Sequence, residues 1–384
     1  MKIYIEAQRL FRKHKHGMDI VALELLQRLR QRNPAYNFHV LVKNDEDHCL
    51  HNSDSMTVSS LRSFFYPVWE QWLLPNRTGG SKQNLLHCTG NTAPLLGKIP
   101  LIVTIHDLIF LEKNYLFSKD GGSLYQRFGN YYRRLVVPIV ARKAKHIITV
   151  SEHQRNIIIN RLKISPAKVS VVYNGVDNRF FNHADKTVLS NALMKYGIAF
   201  PYIFFMGNTE PRKNTKGVIN AFKIFCDQNP KLQYKLVVKG LTAHQLSKII
   251  VECNAVKYAG FIHHISYIDY ADLPMLYQGA EVLWFPSFSE GFGLPIIESM
   301  ASGTPVITSS VSVMPEIAGD AALYIEPAEP RQLAIQTQLL INNSLLKNEL
   351  IQKGTTRAAS FTWDRSTNDL MKVYDRMMER ENLL

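Results

Sequence analysis

Short apolar runs alternate along this chain with longer stretches whose apolar positions recur every three or four residues. Lys2–Ala7 reads as a strand, and Met18–Arg32 as a helix carrying Ile20, Val21, Leu23, Leu26 and Leu29 at that mixed spacing. Phe38–Val42 is a second strand. Pro100–Ile105 is almost continuously apolar, as suits a parallel strand covered on both faces. Lys145–Val150 and Val169–Tyr173 are further strands, with a helix over Ser151–Leu162 between them. The polar, irregular stretch from Asn178 to Lys186 reads as a linker. Beyond it the same grammar returns. Tyr202–Met206, Tyr234–Val238, Glu281–Phe285 and Pro305–Thr308 read as strands, and Thr215–Asp227 and Pro295–Ser302 as helices. This β-α alternation predicts parallel sheets with helices on both faces. A length of 384 residues fits two such domains, 1–178 and 179–363, and no solenoid-length repeat is present. Ligands of such sheets bind at the carboxyl ends of the strands, so a cleft between the domains is the expected site.

Composition narrows the class. With 46% hydrophobic and 20% charged residues the chain is neither disordered nor low-complexity, and no apolar run is long enough to span a bilayer. The start turns charged before a signal-peptide core could form, and Cys49, Cys88, Cys226 and Cys253 are far apart. A soluble cytoplasmic protein is expected. The net charge of +13 is unevenly placed: residues 1–178 carry +12 of it. That half is expected to face something anionic, whether nucleic acid, a membrane surface or a phosphorylated substrate, unless the charge only solubilises it.

The segment most suggestive of chemistry runs from Phe285 to Pro305 and contains Glu290, Gly291, Phe292, Gly293, Leu294 and Glu298. It reads as a buried strand, a glycine loop and a short helix, with Pro295 at the first helical position and Gly303 as the cap beyond its end. The glycines allow close approach to a ligand at the positive end of the helix, where a phosphate or hydroxyl-rich anion is favoured. Carboxylates at Glu290 and Glu298 can accept strong hydrogen bonds from sugar hydroxyls, although a first-turn acid at 298 could equally serve the helix dipole. Arg212 and Lys213 lie between a buried strand and a helix, a suitable place to meet a diphosphate.

Glu290 and Glu298 form an E-x7-E pattern, flanked by Glu-Gly-Phe-Gly-Leu-Pro and Ser-Gly-Thr-Pro-Val. Together with Val172-Tyr-Asn-Gly-Val-Asp177, Ile147-Ile-Thr-Val-Ser-Glu152 and Met206-Gly-Asn-Thr-Glu-Pro-Arg-Lys-Asn214, the chain resembles the retaining glycosyltransferases of family 4, group 1. That resemblance implies a GT-B architecture of two Rossmann-like domains facing across a cleft, with a closing helix at 364–384 returning to the first domain. It implies a nucleotide-sugar donor whose ribose is held by Glu298. Glu290 and the amides around Phe292, Gly293 and Leu294 would hold the transferred sugar and distal phosphate, and Lys213 the phosphates. Relatives often carry Arg where this chain has Asn208, and Arg212 would supply that charge. His106, at the end of an apolar strand, would contact the donor sugar and reacting centre, with Asp107 its orienting neighbour or a structural residue. Gly17 would allow close approach to phosphate where relatives carry more glycines. The acceptor hydroxyl would attack on the face the diphosphate leaves, a donor phosphate oxygen taking its proton.

The Glu-Pro-Arg-Lys-Asn and His-Asp-Leu combinations look most like mannosyltransferases making surface polysaccharides, so GDP-mannose is the favoured donor and UDP-hexoses the alternative. No cofactor beyond this co-substrate is expected, and no metal, since Asp45-Glu46-Asp47 reads as a solvated acidic turn. The acceptor would be a glycan or a lipid-linked one. Lys13, His14, Lys15 and His16 could engage a phosphorylated acceptor or simply be solvated. The aromatic stretch Leu61–Leu74, with Phe64, Phe65, Tyr66, Trp69 and Trp72, is expected mostly to pack internally. Its alternative is an amphipathic element on the inner face of an anionic membrane, beside Arg133, Arg134, Arg142 and Lys143. The rival readings are a basic polyanion- or nucleic-acid-binding protein, for which no stacking or helix-turn-helix signature is present, and a phosphorylase or epimerase on the same fold.

Overall fold

The computed structural model describes residues 2–32, 36–63, 65–112, 124–231 and 233–380. The chain divides into two compact units, Met1–Gly175 with Trp363–Leu384, and Val176–Thr362. Each is one parallel sheet covered by helices.

The first unit holds β1 (Lys2–Glu6), β2 (Asn37–Lys43), β3 (Met56–Leu61), β4 (Leu85–Cys88), β5 (Leu101–Thr104), β6 (His146–Thr149) and β7 (Val169–Val171), ordered β3-β2-β1-β4-β5-β6-β7. Every pairing is parallel, and Glu6 stands beside Cys88 where β1 meets β4. β3 and β4 were not legible as strands: β3 is only partly buried and carries Thr57, Ser59 and Ser60, and β4 contains His87. The second unit holds β8 (Tyr202–Met206), β9 (Lys235–Lys239), β10 (Ile262–Ile265), β11 (Val282–Phe285), β12 (Val306–Ser309) and β13 (Leu323–Ile325), ordered β10-β9-β8-β11-β12-β13. Counted within the unit, that is the 3-2-1-4-5-6 order of dinucleotide-binding folds. In both sheets the order reverses beside the first strand, between β1 and β4 and between β8 and β11, and ligands of open α/β sheets bind at such a point.

One sequence expectation is corrected and another holds in part. The supposed linker after Asp177 is not free: Asn178–Phe181 forms a 3-10 turn, and Phe180 is buried against Tyr270 and Tyr277. The aromatic stretch is divided: Leu61, Tyr66, Trp69, Leu73 and Leu74 pack on the core as expected, and part of it is exposed. From Tyr66 it is helical, with a π turn over Trp69–Leu73, and Trp69 is buried, but Phe65 and Trp72 are exposed. Phe64 lies outside the described residues. No described helix is long and apolar enough to cross a membrane.

The helix Trp363–Arg380 buries Val373, Tyr374, Met377 and Met378 against the first sheet and packs on the helix Gly17–Arg30. Tyr374 is hydrogen-bonded to His87 Nδ1 at 2.7 Å, and His87 Nε2 to the Thr104 hydroxyl at 2.8 Å. Burial pushes the His87 pKa down to about 3, so the ring is neutral. Tyr374→Phe should strand one buried ring nitrogen and cost about 1–3 kcal/mol. Urea unfolding should show this as an earlier transition of the first unit.

Candidate donor-binding site

In the second unit, two loops leave the sheet at its point of reversal: Gly207–Asn214 after β8, and Pro286–Gly293 after β11. They are bonded to each other. The Phe288 N–H donates to the Arg212 carbonyl at 2.7 Å. Asn214, held at φ +60°, donates its side-chain amide to the carbonyls of Pro286 (3.0 Å) and Pro327 (2.6 Å). Gly217 is required there, because a Cβ would sit 2.2 Å from the Asn214 amide oxygen.

Glu290 is buried at the junction. Lys213 Nζ lies 2.7 Å from one of its carboxylate oxygens and Arg212 Nη1 2.8 Å from the other, while Arg212 Nε bonds Glu210 at 2.6 Å. Burial alone would raise the Glu290 pKa. Lys213 and Arg212 outweigh it and hold the carboxyl below its ordinary value. The Glu290 N–H is received by the Ser312 hydroxyl at 3.2 Å.

Gly293, at φ +103°, turns the chain into the helix Leu294–Ala301, and among the described residues neither its N–H nor that of Leu294 has an acceptor. Two such open donors at the positive end of a helix are what an anion site needs. Phe292 is buried against Phe361, and Gly291 is partly exposed in the loop. Pro295 occupies the second helical position rather than the first, and Glu298 falls one residue deeper than expected, just beyond the first turn of the helix. It is buried instead, accepting from the Tyr277 hydroxyl at 2.9 Å. Burial raises its pKa to about 7, against smaller opposing effects of Tyr277 and Lys239. The side-chain oxygen of Asn208 receives the Glu210 N–H at 2.8 Å, shaping the loop.

In the first unit, His106 is buried after β5. Its Nε2–H donates to the Thr89 carbonyl at 2.9 Å, and its backbone N–H to Asn91 at 2.7 Å. Burial lowers its pKa. The neutral ring therefore keeps its Nδ1 lone pair available to a hydroxyl donor. Asp107 caps the next turn through the Ile109 N–H at 3.3 Å. Gly17 is exposed as the first residue of its helix, whose cap is His16.

The model described as "Glycosyl transferases group 1" matches residues 198–357, and the one described as "Glycosyltransferase Family 4" matches residues 16–180. The chain is 30% identical over 285 residues to the O-antigen chain mannosyltransferase RfbU of Salmonella typhimurium, covering 73% of this chain and 71% of that one. It belongs to the family-4, group-1 glycosyltransferases. A second relative, O-antigen chain mannosyltransferase B of Escherichia coli, is 28% identical over 232 residues, and the match spans 60% of this chain and 60% of that relative's own length. Among solved structures, HepE of Anabaena in complex with UDP-glucose superimposes with a TM-score of 0.74 at 18% identity, over 98% of this chain and 100% of that one. WaaG, a glycosyltransferase involved in lipopolysaccharide biosynthesis, gives 0.69 at 13% identity over 97% and 99%. At those identities the likeness is one of fold.

For this glycosyltransferase the structure brings Arg212, Lys213, Glu290 and the Gly291–Leu294 turn together in one unit, and places Gly17 and His106 in the other. Sequence reasoning missed Glu210, Tyr277 and Ser312, which orient Arg212, Glu298 and Glu290. Glu210 lies within the quoted Met206–Asn214 motif, two residues from Arg212, whereas Tyr277 and Ser312 act from segments about 20 residues away and carry no motif of their own. In the basic loop Lys13 is 3.5 Å from Glu46, and Lys15 is paired with Asp47, so the acidic turn neutralises part of its charge.

A raised carboxyl pKa favours the folded state below the ordinary value of 4.5, and that contribution is lost as pH rises through about 7. Relative to Glu298→Gln, the wild-type second unit should therefore lose up to about 3 kcal/mol between pH 4.5 and pH 8. Urea titrations of both proteins across that range measure the difference.

Proposed function

We propose that this glycosyltransferase moves a hexose, with retention of anomeric configuration, from a nucleoside diphosphate sugar to a hydroxyl of a glycan or lipid-linked acceptor during surface polysaccharide synthesis. The observation that carries the reading is the buried Glu290 carboxylate clasped by Lys213 and Arg212 beside the amino end of the helix Leu294–Ala301. In the resting protein these charges satisfy one another. On donor binding the two cations and the Gly293 and Leu294 amides would turn to the diphosphate, and Glu290 to the hydroxyls of the sugar. Ionised Glu298 would accept from the ribose hydroxyls. Mannose from GDP-mannose is the favoured donor, supported by the mannosyltransferase relatives; UDP-hexoses are the alternative.

In the transfer step the bond from the anomeric carbon to the phosphate oxygen breaks, and the acceptor oxygen forms a bond on the same face. A phosphate oxygen takes the acceptor proton, and the nucleoside diphosphate leaves with the bonding electrons. The developing charge on that leaving group would be met by Lys213, Arg212 and the helix terminus, without a metal. His106 would receive a sugar hydroxyl at Nδ1.

The acceptor reading extends to an anionic membrane on the cytoplasmic side. Phe65, Val68 and Trp72 on one helical segment, and Phe128, Tyr131, Leu135 and Ile139 on the helix Leu124–Lys143, are exposed. The two groups join where the Phe65 and Phe128 rings lie 5.5 Å apart. Such an apolar stripe on a half of charge +12 suits a bilayer of anionic lipid. Arg134 and Lys143 bond the carbonyls of Glu112, and of Pro94 and Leu95, and Arg133 bonds Asn130; Arg142 is exposed.

A thermal-shift screen with GDP, UDP, ADP, dTDP and their sugars, with EDTA or with Mg2+, tests the donor site. One nucleoside should raise Tm in EDTA, and Lys213→Ala should weaken its affinity roughly tenfold or more. Glu290→Gln frees both cations, so nucleoside diphosphate binding should persist while transfer falls on the order of 100-fold. Absence of any nucleotide shift in folded protein would defeat the reading. For the membrane face, the double variant Trp72→Ser, Leu135→Ser should co-sediment with phosphatidylglycerol vesicles much less than wild type. Equal sedimentation would remove that part of the proposal.

A further inference from the structure

The transfer step makes no use of Glu70, a carboxyl in the π turn Trp69–Leu73 of the first unit that is only 2% exposed. A carboxylate in the interior is costly unless its lone pairs are filled. Four donors fill them. The Tyr66 hydroxyl (2.6 Å) and the Thr92 hydroxyl meet one oxygen, and the Tyr132 hydroxyl (2.7 Å) and the Gln71 amide (2.8 Å) meet the other. Burial raises the Glu70 pKa, and these bonds oppose the rise. Tyr66 and Gln71 are close neighbours in the chain, and Tyr132 belongs to the helix Leu124–Lys143. Thr92 comes from elsewhere: it stands in the loop between β4 and β5. Gln71 reaches that loop as well, donating to the Ala93 carbonyl at 3.3 Å and receiving the Leu95 N–H at 2.8 Å.

The same loop carries both groups that hold His106. The Thr89 carbonyl receives His106 Nε2–H at 2.9 Å, and the Asn91 side-chain oxygen receives the His106 N–H at 2.7 Å. Asn91 is buried at φ +69°, in the left-handed region that a residue other than glycine enters at a cost. Such a conformation persists only where its surroundings over-determine it. They do so on both sides. Before Asn91, the Thr89 hydroxyl donates to the Glu6 carbonyl at 2.8 Å. After it, Thr92 is tied to Glu70, and Ala93 and Leu95 to Gln71.

We propose that Glu70 is a positioning residue for His106: through Thr92, and with Gln71 beside it, this carboxyl holds the Thr89–Asn91 turn in the conformation that fixes the orientation and tautomer of the His106 ring. The use of that ring rests on the transferase reading above. What is added is a buried group that touches no sugar and still sets where the ring stands.

The test uses the full chain labelled with 15N-histidine. Long-range 1H–15N spectra, assigned with His106→Gln, should place the His106 proton on Nε2 in the wild type. Thr92→Val keeps the shape of the residue, cuts the tie and leaves Glu70 its other three donors. The His106 Nε2 proton should then exchange with water roughly tenfold faster. Glu70→Gln should do the same, and Thr92→Ser, which restores the hydroxyl, should return the rate to within about twofold of wild type. Tyr132→Phe takes a bond from the same carboxyl and none from the loop, so it should lower Tm as Thr92→Val does and leave the His106 signal unmoved. Persistence of the nucleotide thermal shift in Thr92→Val certifies its fold. Unchanged exchange in Thr92→Val, or an equal change in Tyr132→Phe, overturns the proposal and leaves Glu70 a tie between helices. Absence of any nucleotide shift in the wild type, with the ring proton behaving as expected, overturns the transferase reading instead.

Discussion

A parallel sheet whose strand order reverses beside its first strand sends neighbouring connections to opposite faces, and the gap they leave is the one place where loop backbone and polar side chains can meet a ligand without breaking the sheet. Both units are built on that constraint. In the second, it gathers the Pro211–Lys213 turn and the Glu290–Gly293 loop from segments nearly 80 residues apart, and the Phe288–Arg212 and Asn214–Pro286 bonds fix their separation. In the first, it leaves Glu6 beside Thr89 and Gly90. The core strands on either side, buried and close to wholly apolar, hold these gaps open.

Three buried carboxyls show how environment divides one chemical group among tasks. Glu290 stays ionised because two cations lie within hydrogen-bond distance. Glu298 and Glu6 have no such clasp, and burial lifts each to about 7. Near neutrality they stand between acid and anion, and such buried, perturbed carboxyls weaken the free fold. Glu70 is different again. It is surrounded by hydroxyl and amide donors and serves as a hub joining the Tyr66 segment to the helix that carries Tyr132.

Much of this protein was settled by local patterning. Continuous apolar runs marked β1, β5, β6, β8 and β11, because a strand covered on both faces must be apolar on both. The spacing of Glu290, Gly293 and Glu298 marked the loop and helix, since only glycine takes the left-handed turn at 293 without strain. These residues made the family resemblance visible. Local pattern failed at short strands that are half-covered or interrupted by a polar residue: β3, β4, β10 and β13 were missed, and periodicity could not say that no neighbour covers Trp72. Charge was the other blind spot. A run of basic residues at 9–16 looks free in sequence, yet an acidic turn thirty residues later neutralises part of it. Only the tertiary structure decided which cations hold Glu290 and how deep Glu298 lies, because pairing, burial and their effect on ionisation depend on residues brought together from distant parts of the chain.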